Sequence, residues 1–186
     1  MRKALVALIL LLFAGLAGAQ KVQKASEILK AAQNKATTEN KSIFLIFGAS
    51  WCDACHEFDS FLALPEVAPV IERYFVVAKV TFGEGVYGHR DWDTPGSDLL
   101  LEKYGGVSAT GRVGIPFIAL LDTKAKLIAS SAPKSNGGRS GGETSGFPTE
   151  PEEVKLFLSL LEKAAPALTA DDLHTIETGL HHAAAD

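Results

Sequence analysis

The sequence predicts an α/β domain, and three observations carry that prediction. Residues 42–47, 74–80 and 117–122 are short apolar runs rich in β-branched and aromatic residues, which is the signature of buried strands. Between them apolar residues recur at helical spacing, and strands separated by helices imply a βαβ start to an α/β sheet. The chain's two cysteines, Cys52 and Cys55, fall just after the first run, where the pattern turns from strand to helix.

The N-terminus carries Arg2 and Lys3, then an uncharged apolar run over residues 4–19 that ends in Ala17-Gly18-Ala19. This is the layout of a secretory signal peptide with a small-residue cleavage site. The run falls short of the roughly 20 apolar residues that span a bilayer. A signal over 1–19, cut after Ala19, and a domain over 20–186 are therefore expected, with an uncleaved membrane anchor as the alternative. Cleavage removes two cations, so the formal charge of −4 becomes −6. A mildly acidic chain gives no reason to expect nucleic acid as a partner.

Within the domain, Val22, Ala25, Ile28, Leu29, Ala32 and Ala36 mark an amphipathic helix ahead of the first strand. Gly48-Ala49-Ser50 breaks that strand, and a helix runs from Asp53 through Phe58, Phe61 and Leu62 to a stop near Pro65. A short helix or turn over 66–73 leads to the second strand, parallel to the first. Residues 82–97 then interrupt the plan with Gly83, Gly85, Gly88 and Gly96 among Tyr87, His89, Arg90 and Trp92. A loop of this length in a compact domain is usually functional or mobile. It leaves the sheet at the end that carries Cys52, so two readings stand: it meets partners beside the cysteines, or Tyr87 and Trp92 pack it onto the body.

A helix over 98–104 ends at Gly105-Gly106, and the strand at 117–122 turns through Thr123-Lys124 into a run at 126–129. Residues 132–148 are Gly- and Ser-rich and read as a flexible loop. Thr149-Glu150-Pro151-Glu152 starts a further helix as a capping box, with Val154, Phe157, Leu158 and Leu161 as its apolar stripe. Residues 167–186 form a C-terminal helical extension capped at Thr169, with Leu173, Ile176 and Leu180 on one face. His174, His181 and His182 are read as surface residues.

The spacing Trp51-Cys52-Asp53-Ala54-Cys55 carries the chemistry. Unpaired N–H groups and the positive dipole end at a helix start stabilise an anion, so Cys52 should ionise more easily than a free thiol at about 8.5. The thiolate attacks disulfides, and Cys55, placed one turn further in and expected to be less exposed, then resolves the mixed disulfide. Asp53 beside Cys52 opposes ionisation, which leans the pair toward the reducing side. His56 offsets this if protonated, but on this helix it is expected to face solvent. A structural staple is the plain alternative, although so small a loop removes little chain entropy. Metal binding by Cys52, Cys55 and a histidine such as His56 or His89 is a third reading, weakened by the lack of a second Cys-x-x-Cys.

Phe47-Gly48-Ala49-Ser50-Trp51-Cys52-Asp53-Ala54-Cys55, followed about sixty residues later by Gly114-Ile115-Pro116, resembles the thioredoxin-fold thiol:disulfide oxidoreductases, in particular their exported branch. The resemblance runs from about residue 41 to 131. It implies a thioredoxin-like fold, a central mixed β-sheet flanked by helices, with the C-terminal helix as an addition. It further implies catalytic roles for Cys52 and Cys55, a cis bond between Ile115 and Pro116, and substrate contacts from Trp51, Ile115 and Pro116. Many members hold a buried Asp six residues before the first cysteine as a proton relay, and this chain has Ile46 there. Asp59 or Glu57 is the candidate replacement. The implied partners are proteins bearing disulfides or thiols, together with a membrane redox partner, since a reductant outside the cytoplasm needs an electron donor. No cofactor is implied. The runner-up function is a thioredoxin-fold carrier or chaperone that uses the dithiol to hold copper or another soft metal. The oligomeric state is left open.

Overall fold

Seven residues, Ser42–Gly48, form β1, and the five between its ends are buried on both faces of the sheet. In this computed structural model, which describes residues 22–107, 113–132 and 146–184, β1 pairs in parallel with β2 (Phe75–Thr81) and antiparallel with β3 (Phe117–Leu121). β3 pairs antiparallel with β4 (Leu127–Ser130), so the described strands form one mixed sheet in the order β2-β1-β3-β4. The alternation of side chains along a strand divides β1 between two cores. Ile43, Leu45 and Phe47 face α1 (Ala25–Glu39) and α4 (Ser97–Lys103). Phe44 and Ile46 face α2 (Asp53–Ala63), α3 (Ala68–Tyr74), α5 (Pro151–Ala164) and α6 (Ala170–Ala183). A sheet covered on both faces needs apolar residues on both, which is why its central strands read as unbroken apolar runs.

Several local expectations shift. Val22 is 67% exposed and precedes α1, whose buried stripe is Ala25, Leu29, Ala32 and Ala36. The cap of α5 is Glu150, one residue later than the Thr149 start, because Pro151 takes the first helical position, where its missing N–H costs nothing. Glu153 supplies the capping carboxylate, accepting from the Thr149 and Glu150 N–H groups at 3.2 and 3.3 Å. The expected flexible loop over 132–148 holds Phe147, which is core. Its ring meets those of Phe58 and Phe61 edge-on at 6.2 and 6.1 Å between centroids.

The C-terminal helix is more than an appendage. α6 buries Ile176 and Leu180 in the cluster that contains Phe58 and Phe61. Gly179 sits so close to Val67 that a Cβ would overlap its Cγ2 atom. The proposed signal over residues 1–19 lies outside the described residues.

Candidate functional site

β1 delivers the chain to the site at its C-terminal end. Gly48 leaves little room there: a Cβ on it would come within 3.1 Å of Cys55 Sγ, so the sulfur would have to shift by a few tenths of an ångström. Cys52 is extended at φ −91°, ψ 103° and caps α2. Its carbonyl accepts from the N–H groups of Cys55 and His56 at 3.0 and 3.1 Å, and its sulfur accepts from the Cys55 N–H at 3.2 Å. Cys52 and Cys55 are joined as a disulfide with their Cα atoms 5.2 Å apart. The Cys55 N–H and the positive end of the α2 dipole thus face the Cys52 sulfur, a setting that stabilises negative charge there.

The second motif lies against the first. The Ile115–Pro116 bond is cis, and the Ile115 carbonyl oxygen is 3.7 Å from Cys52 Sγ. Pro116 leads directly into β3, so the loop is fixed by the strand beside β1. Trp51, 37% exposed, donates its indole N–H to the Gly83 carbonyl at 2.9 Å.

The expected contrast in exposure between the cysteines is absent. Cys52 is 6% and Cys55 9% exposed. Ile115 covers Cys52, whereas Cys55 borders a cavity of about 230 Å³ together with Ser50, His56, Asp59, Lys79 and Glu84. His56 is exposed, as expected, and its Nε2 lies 2.7 Å from the Ser50 carbonyl oxygen, placed to donate to it. A histidine four residues after the N-cap can reach back over the helix start, because side chains point toward the helix N-terminus.

Of the two carboxylates considered for proton relay, Asp59 borders the Cys55 cavity and pairs with Lys79 at 2.6 Å, both side chains being about half exposed. Glu57 is exposed and does not border that cavity. Asp59 follows Cys55 by four residues and so shares its helix face.

One residue was not singled out from the sequence. Glu84, only 3% exposed, accepts from the Ser50 N–H at 2.6 Å and the Ser50 hydroxyl at 2.9 Å. Its own N–H donates to Asp93 at 3.0 Å. The signal available was an acid between two glycines just past a strand, at the sheet end that carries Cys52. Gly83 indeed adopts φ +100°, a conformation that favours glycine.

The packing reading of the 82–97 loop holds in part. Tyr87 packs edge-on against Trp51 at 5.3 Å, and Trp92 stacks on His89 at 4.1 Å, yet Tyr87 and Trp92 remain 66% and 58% exposed. Between this loop and Ile115 lies a cleft of about 320 Å³ lined by Trp51, Phe82, Val86, Arg90 and Val113. Among the described residues no group of three His, Cys, Asp or Glu is arranged to hold a metal ion. His182 meets Glu66 at 3.3 Å on the surface. The arrangement suits thiol–disulfide exchange: a cysteine pair at a helix start, a carbonyl beside its first sulfur, and a cleft bordered by the neighbouring Trp51 and Ile115.

A thioredoxin-like family model matches residues 25–123, so α1 belongs to the family unit along with the two motifs. No curated protein is significantly similar to the chain. Among solved structures, a disulphide isomerase from Xylella fastidiosa Temecula1 superposes with a TM-score of 0.52 at 20% identity, over 80% of this chain and 98% of that one. A DsbH oxidoreductase matches at 0.43 and 17%, over 80% and 85%. The C-terminal domain of Neisseria meningitidis DsbD matches at 0.37 and 24%, over 61% and 85%. The family match covers more than half of the chain and the first of these structures shares its fold: the chain belongs to the thioredoxin-like family.

Proposed function

We propose that this protein is an exported thiol:disulfide oxidoreductase acting on protein partners, working on the reducing side and recharged by a membrane redox partner. One observation supports it above others: Cys52 and Cys55 are paired at the start of α2 with the cis-proline loop 3.7 Å from the first sulfur. The Cys52 thiolate attacks a partner disulfide, forming a Cys52–partner bond and releasing one partner thiolate, which takes up a proton. Cys55 gives up its proton, with Asp59 at the shared cavity as the acceptor, and attacks the Cys52 sulfur. The second partner thiolate leaves, and two electrons have passed to the partner while the protein is left as the disulfide. A dithiol donor then restores the reduced pair. Trp51, Ile115 and Pro116 frame the approach, and the Ile115 backbone pairs with an extended partner segment.

Replacing Cys55 by Ser tests the mechanism. The variant should accumulate mixed disulfides through Cys52, released by dithiothreitol, whereas Cys52→Ser should accumulate none. Equal or absent trapping in both variants would end the exchange reading. Direction is read from the equilibrium of Cys52–Cys55 against a dithiothreitol series: a strongly reducing midpoint supports a reductase, a much more oxidising one a disulfide-forming role. Export is read from the N-terminus of protein recovered outside the cytoplasm, which should begin at Gln20.

A further inference from the structure

Glu84 has no part in the exchange steps above, yet it is one of two buried acids among the described residues, and both of its oxygens are committed to Ser50. Burial of an acid is costly unless donors replace its water. Here the donors come from the turn that carries Trp51 and Cys52. The neighbouring Gly83 carbonyl accepts from the Trp51 indole at 2.9 Å, so Gly83-Glu84 holds Ser50 and Trp51 from one side. His56 closes on the Ser50 carbonyl from the other at 2.7 Å. Beyond Glu84, the loop supplies Val86 and Arg90 to the cleft that Trp51 and Ile115 complete. Glu84 is thereby the point at which the wall of the cleft is fastened to the turn bearing the attacking cysteine.

Resting on the exchange reading, we propose that Glu84 is a positioning residue that holds this loop as a fixed wall beside Cys52, so that the cleft stands ready for the polypeptide flanking a partner's cysteine. A partner joined to Cys52 must run past Ile115, which borders both the sulfur and the cleft. Its neighbouring residues therefore enter a largely apolar space near the lower end of the roughly 300–1,000 Å³ range of ligand sites. A wall fixed in advance spares the ordering cost of binding. Loss of the clasp should therefore weaken capture of a polypeptide and leave the sulfur chemistry in place.

The test compares single turnovers of the pre-reduced protein on two disulfides: a cystine-linked peptide dimer with an apolar residue beside each cysteine, and bis(2-hydroxyethyl) disulfide, which has no polypeptide to dock. Glu84→Ala should raise the half-saturating peptide concentration about tenfold, with the limiting rate and the hydroxyethyl disulfide rate each within about threefold of wild type. Glu84→Gln, whose amide can accept from the Ser50 N–H and donate to its hydroxyl, should restore peptide saturation to within about threefold. Ser50→Ala removes one of the two hydrogen bonds and should give an intermediate loss, which decides the matter if Glu84→Ala does not fold. Unchanged peptide saturation in Glu84→Ala and Ser50→Ala, equal losses on both disulfides, or a Gln variant as impaired as Ala would each overturn this role. A wild-type protein inert toward both disulfides would overturn the exchange reading itself, and this role with it.

Discussion

Glu84 and Asp172 are 3% and 6% exposed, and they stand at opposite ends of the parallel β1–β2 pair. Glu84 follows the C-terminal end of β2. Asp172 receives hydrogen bonds from Arg73 and Tyr74, just before β2 begins, at 2.9 and 2.7 Å. It also accepts from the N–H and hydroxyl of Thr169 at 3.1 and 2.8 Å, which makes it half of the capping box of α6. The device is the same at both ends: a buried acid satisfied by donors from another segment. The surroundings are not. Around Asp172 the acid ties a helix start to α3 and α6 packs tightly through Gly179 and Val67, although a cavity of about 270 Å³ also borders Arg73 and Tyr74. Around Glu84 the acid holds a turn, while two cavities open beside it and large aromatic residues stay exposed. An end that must admit a partner and let sulfur atoms react cannot be filled like a core. It is held by hydrogen bonds instead.

The comparison predicts that damage at the α6 end lowers stability and leaves the dithiol alone. Gly179→Ala should have the largest effect. The new methyl group must displace Val67, with Leu64 and Phe61 crowding the same spot at 3.4 Å, and overpacking costs about 1–3 kcal/mol. In a chain of this size that lowers Tm by about 2–4 °C per kcal/mol. The midpoint of Cys52–Cys55 against dithiothreitol should not move, and a shifted midpoint would break the separation of the two ends.

Asp172→Asn comes next, at about 1–2 kcal/mol from a weakened cap and a lost charge-assisted bond. The Tyr74 hydroxyl, then Thr169 and the Arg73 guanidinium, hold the Asp172 carboxyl below the usual carboxylate range. A depressed folded value makes this contribution fully present above the unfolded value of about 3.9 and lost as pH falls through the folded one. The gap in Tm between wild type and Asp172→Asn should therefore be constant from pH 7 to about pH 5 and close in acid below about pH 4. A gap that does not narrow at all between pH 5 and pH 2 would show that packing, and not the charge, carries the effect.

The sequence was most legible where one residue type answers one demand. The β-branched runs, Pro65 as a stop, the cysteine spacing and Ile115-Pro116 each state their place locally. α6 could be read as a helix, but its weight in the core could not, because Gly179 matters through Val67, Leu64 and Phe61, far away in the chain. Phe147 was hidden by its Gly- and Ser-rich neighbours, which describe the loop and not its anchor. Glu84 was hidden for a related reason. Its meaning lies in two hydrogen bonds to Ser50, thirty-four residues earlier, and a loop rich in glycine gives no period from which to infer them. The orientation of His56 was likewise set by a tertiary partner, the Ser50 carbonyl.

The smallest expected effect on stability falls at the other end, at Asp59. Its pair with Lys79 is half exposed on both sides, and such pairs contribute about 0–1 kcal/mol. Asp59→Asn should thus shift stability by no more than about 0.5 kcal/mol. Its chemical effect should be larger, because a positioned proton acceptor commonly contributes on the order of 10²–10⁴-fold. Half exposure lets water share that work, so a slowing of about tenfold is expected in the step where Cys55 attacks the Cys52 mixed disulfide. The lifetime of a preformed mixed disulfide reports that step directly, since nothing before it contributes. Glu57→Gln, one position from the cavity's lining but facing solvent, should leave the lifetime unchanged. If Asp59→Asn does the same, Cys55 loses its proton to water through the 230 Å³ cavity, and the carboxylate there serves only to hold Lys79. If the lifetime lengthens while Tm stays put, the two ends of the sheet are separable, one tuned for holding and the other for reacting.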